Sequence, residues 1–173
     1  MKFLLSKRAT QGCPCGYYNH PEKECVCAPG VVQKYLNKIS GPLLDRIDIH
    51  LEVTPVPFSE LTSNRISEKS ETIRDRVIKA RQVQAERFKE SKGVYSNSQM
   101  SSKMLKSVCV ISDEGQQLLK TAMERLGLSA RAYDRILKVS RTIADLDNSA
   151  GIRTEHLAEA IQYRSLDREG WAG

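Results

Sequence analysis

Four of the five cysteines fall within the first 30 of 173 residues, as Cys13-Pro-Cys15 and Cys25-Val-Cys27, two C-x-C pairs separated by nine residues. Four soft thiolates are the donor set of a closed tetrahedral zinc site, and Gly12, Gly16, Pro21, Pro29 and Gly30 make the segment a loop that no apolar core would hold. The alternatives are reduced, unliganded thiols, since C-x-C is a less usual knuckle than C-x-x-C, or two disulfides, which an intracellular chain disfavours. His20, between Asn19 and Pro21, could replace one cysteine as ligand or sit in a solvated turn. Cys109, within the apolar run of residues 108–111, reads as a small buried hydrophobe and not as a nucleophile.

Two arginines have positions that could serve an anion. In SGPLLDRIDIH, residues 40–50, Arg46 stands at the mouth of a strand after a helix and a tight turn, where it can project into a neighbour's phosphate site. The alternative is a structural pairing with Asp45 or Asp48. In LSARA, residues 128–132, Arg131 lies in a helix's first turn, where backbone N–H groups and a guanidinium can together meet an anion. The alternative there is a capping Ser129 beside an exposed arginine. His50 alternates onto the polar face of the strand and His156 falls in the first turn of the last helix, neither with a catalytic partner legible in sequence.

The elements that must position these residues are mostly helices. Val31, Val32, Tyr35, Leu36 and Ile39 have helical spacing after Pro29, and Gly41-Pro42 ends the run. Ile47, Ile49, Leu51 and Val53 alternate with Asp48, His50 and Glu52 before Pro55 and Pro57, which predicts a strand whose partners must lie elsewhere. A long helix to about Glu90, capped by Ser67 or Ser70, would present Ile73, Val77, Ala80, Gln84 and Phe88. Shorter helices follow: one over residues 101–107; one opened by Ser112 and closed by Gly127; one opened by Ser129 and ended at Asp147-Asn148; and one from Thr154. The fold class is mainly α: a helical bundle over residues 65–166, preceded over residues 13–58 by a cysteine-rich loop, a short helix and a strand remnant of an α/β unit.

At this size a large multi-domain enzyme is not expected. A net charge of +6 and a pI near 9.1 admit an anionic partner such as nucleotide or nucleic acid, although the charges are interspersed and a solvated helix face accounts for most of them. The opening MKFLL is too short for a signal core, and no run approaches the roughly 20 apolar residues that span a bilayer, so a cytoplasmic protein without membrane contact is expected.

Taken in order, CPCGYYNHPEKECVCAP, SGPLLDRIDIHLEV, LSARAYDRILKVSRTIADL and HLAEAIQYR resemble the C-terminal third of the magnesium-chelatase-like AAA+ ATPases, most of all their bacterial competence-associated branch. The resemblance covers about residues 13–166. It implies that Arg46 is the arginine finger acting on ATP in the adjacent subunit of a hexameric ring, that Arg131 is the sensor-2 arginine, and that the helices from about residue 65 form the lid. For the full-length ring it also implies ATP and Mg2+ as cofactors, other subunits of the same ATPase and DNA as partners, and branch migration in recombination and natural transformation. There are departures. Gln11-Gly12 replace the Asn-Pro that the family places before CPCG, and an apolar strand is missing upstream, so residues 1–12 are expected to be a disordered or non-family start. No G-x-x-x-x-G-K-[ST] phosphate loop occurs, nor an apolar run ending in paired acids, so this chain alone is expected not to hydrolyse ATP. Two readings of other classes are a small zinc-stabilised DNA-binding module and a protein-interaction domain.

Overall fold

A computed structural model of the chain describes residues 13–18, 20, 22–38, 45–51, 56 and 67–164. The expectations for residues 1–12, the turn at Gly41-Pro42, the end of the strand over residues 52–55 and its stop at Pro57, the linker up to residue 66 and the last residues of the bundle lie outside these.

Helix α1, Pro29–Leu36, begins with proline in its first turn, where the missing N–H costs nothing, and buries Val32 and Leu36. It is the only helix described before the bundle. The bundle contains α2 (Ser70–Phe88), a 3-10 turn at Asn97–Gln99, α3 (Ser102–Val108), α4 (Asp113–Leu126), α5 (Ala130–Leu146) and α6 (Thr154–Gln162). Three of the starts are fixed by serine. The hydroxyls of Ser101, Ser112 and Ser129 accept the backbone N–H of Met104, Gly115 and Ala132 at 3.3, 3.2 and 3.2 Å, each satisfying a donor that the first turn would leave open. Gly127, at φ 52°, closes α4 in the left-handed conformation that a Cβ disfavours.

Helix α5 is the centre of the bundle. It packs against α2, the 3-10 turn, α3 and α6, while α6 also packs on α4. Phe88, Leu105, Leu119, Ile136, Leu137 and Leu157 converge in one apolar core. No helix among the described residues is long and apolar enough to cross a membrane.

Three expectations are corrected. Neither Ser67 nor Ser70 caps α2, because Ser70 is already helical and the capping position belongs to Lys69, which makes no side-chain cap. The apolar face expected for α2 is buried only at Ala80, Gln84 and Phe88, while Ile73 and Val77 stay 42% and 45% exposed. The bundle covers only the C-terminal half of this helix. The strand expected from Ile47 onward is also not formed over residues 47–51. The alternation is present in the sequence, but among the described residues no strand lies beside it. Among the described residues, the His50 N–H donates to the Tyr163 carbonyl at 2.9 Å.

A charged network also lies inside the bundle. The Asp145 carboxylate, fully buried on α5, accepts both Arg87 guanidinium nitrogens, at 2.8 and 2.5 Å, and the Asn97 amide at 2.7 Å. Arg141, one turn earlier on α5, donates to Asp145 at 3.1 Å and to the Ser149 and Ala150 carbonyls at 2.7 and 3.0 Å. Burial pushes the Asp145 pKa up, but the Arg87 and Asn97 hydrogen bonds with the Arg87 and Arg141 charges outweigh it and hold the carboxyl below its usual value. The network joins α2, the 3-10 turn, α5 and the loop before α6, so the helix register is set by charge as well as by apolar packing.

Candidate functional site

The cysteine segment folds back on itself through two tight turns. Gly16 adopts φ 83° and donates its N–H to the Cys13 carbonyl at 3.1 Å, bringing Cys15 back over Cys13. The Nδ1 of His20 accepts the backbone N–H of both Glu22 and Lys23 at 3.1 Å and so returns the chain toward Cys25. His20 therefore builds the turn and is not among the clustered donors.

The sulfurs of Cys13, Cys15, Cys25 and Cys27 all lie within 4.8 Å of one another. Cys13 is 3.2 Å from Cys15 and 3.6 Å from Cys25, and Cys15 is 3.6 Å from Cys25. Sulfurs around a tetrahedral zinc with bonds of about 2.3 Å stand about 3.8 Å apart, so the donor set fits that ion. Acidity points the same way. The Tyr17 backbone, then the Cys13 thiol, holds Cys15 down to about 6. The Cys27 backbone favours a Cys25 thiolate, yet burial and the Cys15 and Cys13 sulfurs push that thiol up to about 12. One thiolate forms readily and opposes the next, unless a cation stands among them.

Arg46 is exposed, in the segment of residues 45–51 that meets the bundle at Arg135, Tyr163 and Arg164. Its neighbouring aspartates are taken by other arginines. Asp48 pairs with Arg135 on α5, and Asp45 lies 3.7 Å from Arg164, which also donates to the Ile47 carbonyl. The Asp48–Arg135 pair, with Asp48 52% exposed, contributes about 0.2–1 kcal/mol. Arg164 is 1% exposed, and its charged hydrogen bond to the Ile47 carbonyl is of a kind that contributes about 1.5–3 kcal/mol.

Arg131 is exposed on the first turn of α5, one turn before Arg135, and Ser129 caps that helix as expected. Among the described residues Arg131 makes no ion pair. Cys109 is buried, donates weakly to the Leu137 carbonyl at 3.6 Å, and is pushed by burial up to about 11, which keeps it a neutral hydrophobe. His156 has structural partners at the start of its helix. Its Nδ1 accepts the Arg153 backbone N–H at 3.1 Å and its Nε2 stands 3.2 Å from Asp147. With Arg153 already paired to Asp147 and Glu155, the group secures the start of α6.

Comparison with known proteins agrees with this architecture. The family model for the C-terminal part of magnesium chelatase subunit ChlI matches residues 67–164, and the one for magnesium chelatase subunit ChlI matches residues 2–61, beginning ahead of Cys13. The competence protein ComM of Haemophilus influenzae is 41% identical over 157 residues, and the uncharacterized protein YifB of Escherichia coli is 39% identical over 157 residues. An uncharacterized protein of Mycobacterium tuberculosis is 31% identical over 156 residues. Each comparison covers 90% of this chain, but the chain spans only 29–30% of the length of these relatives. With both family matches in order along the chain, and the helical bundle coinciding with one of them, the chain belongs to the magnesium-chelatase-like family.

Proposed function

We propose that the chain is the lid-and-sensor part of a ring-forming ATPase, which as a whole couples ATP hydrolysis to DNA branch migration in recombination and natural transformation, in the cytoplasm. One observation carries this reading: an exposed Arg131 at the N-terminus of α5 and an exposed Arg46 on a segment tied to that same helix through Asp48 and Arg135. The nucleotide with its magnesium supplies the phosphoryl group to be transferred. Arg46 offsets negative charge on that group in an adjacent subunit, and Arg131, with the N-terminal N–H groups of α5, ties the lid's position to the state of the nucleotide.

Zinc would be held by Cys13, Cys15, Cys25 and Cys27 and would be structural, since four protein thiolates leave no open position for a reacting water. The walls of the nucleotide site come from outside these 173 residues, which contain no phosphate-loop sequence, so the chain alone binds ATP and DNA weakly. Tight, salt-sensitive DNA binding by the isolated chain would favour the zinc-module reading instead.

The test replaces the aligned 157 residues of the Haemophilus relative with those of this chain and follows MgATP hydrolysis. The chimera is expected to turn over ATP. Arg46→Ala lowers kcat by about 10³-fold with KM little changed, as removal of an arginine finger does. Arg131→Ala weakens nucleotide binding by about tenfold or more, in line with one lost charge-assisted contact. An inactive chimera, or one indifferent to both substitutions, would overturn the reading.

A further inference from the structure

Asp48 and Arg135 are 87 residues apart in sequence, and Ile47 and Arg164 are 117 apart, yet both pairs join the same short segment to the bundle. Arg164 follows the last helix and is buried, with one guanidinium nitrogen on the Ile47 carbonyl and another 3.7 Å from Asp45. Arg135 projects from α5 onto Asp48, one turn beyond Arg131. The His50 N–H adds a third tie, to the Tyr163 carbonyl. Arg164 and Arg135 thus reach the aspartates on either side of Arg46, and among the described residues these side chains and the His50 amide fasten the segment to the bundle.

We infer that Asp48, Arg135 and Arg164 form a latch that positions Arg46 on the helix carrying Arg131, so that the two cations move together. A displacement of α5 is then transmitted to Arg46 within the same subunit, and through Arg46 to the next. In so far as Arg46 and Arg131 serve a nucleotide, which is the reading above, the three latch residues are positioning residues that act through Arg46.

The latch is tested first in this chain by amide hydrogen exchange. Asp48→Arg and Arg135→Asp should each speed exchange of the His50 amide by about tenfold, the double swap should restore it, and the Ile136 and Leu157 amides should stay protected throughout as the folding control. Single swaps without effect, or a double swap that fails to restore protection, would overturn the latch. In the chimera, the same single swaps should lower kcat by about tenfold at constant KM, with recovery in the double swap. If exchange responds and kcat does not, transmission to Arg46 is wrong although the contacts are real. If Arg46→Ala itself leaves turnover unchanged, the nucleotide reading fails while the exchange data still decide the latch.

Discussion

Around Cys13 the buried apolar set amounts to Val32 and Leu36 beside the sulfurs, whereas the bundle closes Phe88, Leu105, Leu119, Ile136, Leu137, Leu157 and their neighbours around α5. Among the described residues the first unit has one eight-residue helix, which buries little apolar surface to offset the entropy of ordering the loop, so a group joining its four thiolates is proposed to hold it. The second has serine-capped helices, a continuous core and a buried ion network with its hydrogen bonds made. With zinc in the place proposed for it, one unit is held by coordination and the other by packing, and the two should fail separately.

The largest effect should come from breaking the first unit alone. Structural zinc in small sites contributes about 10–16 kcal/mol of apparent folding free energy, so a strong chelator, or Cys25→Ser, should abolish amide protection over residues 13–38 and leave α2 to α6 intact. Native mass spectrometry should find one zinc per untreated chain. A metal-free chain with a protected loop would refute the coordination account.

Asp145→Ala should be the most damaging single change in the bundle. It leaves the nearly buried Arg141 and part of Arg87 without a counter-charge, which costs about 3–5 kcal/mol, read from the urea midpoint, with zinc content unchanged. A loss below about 1 kcal/mol would mean that the network is replaceable. The same residue gives the bundle an acid limit. Because its folded pKa lies below the unfolded value of about 3.9, its contribution is complete above that value and is lost as pH falls through the folded pKa. Asp145→Asn should remove that part of the acid slope in urea titrations repeated across pH 2–6; an unchanged slope would assign it to other carboxylates. Smallest of all, Ser129→Ala should cost about 1 kcal/mol by removing the cap of α5, again without touching the zinc unit.

Most of the helices were legible because their punctuation is local: Ser112, Ser129 and Gly127 act on backbone groups three to five residues away. The clustering of the four cysteines was legible from spacing for the same reason. The ion network was not, since Arg87 meets Asp145 across 58 residues, although Arg141 and Asp145 at i, i+4 on the inner face of α5 offered a signal. The strand misled because alternation records a two-sided environment and not the neighbours that complete it, while the ties that do hold residues 47–51 come from Arg135, Tyr163 and Arg164, far along the chain. Partnering of His156 was hidden likewise, its contact to Asp147 spanning the turn before α6.

The central functional claim is that Arg46 serves a nucleotide held by a neighbouring subunit, and mixed rings test it most directly. Chimera subunits carrying Arg46→Ala would be combined with subunits whose nucleotide-binding half has been disabled, each inactive alone. The account predicts that ATP hydrolysis reappears on mixing, because intact nucleotide sites then meet intact arginines across the interface. A mixture as inactive as its components would contradict it.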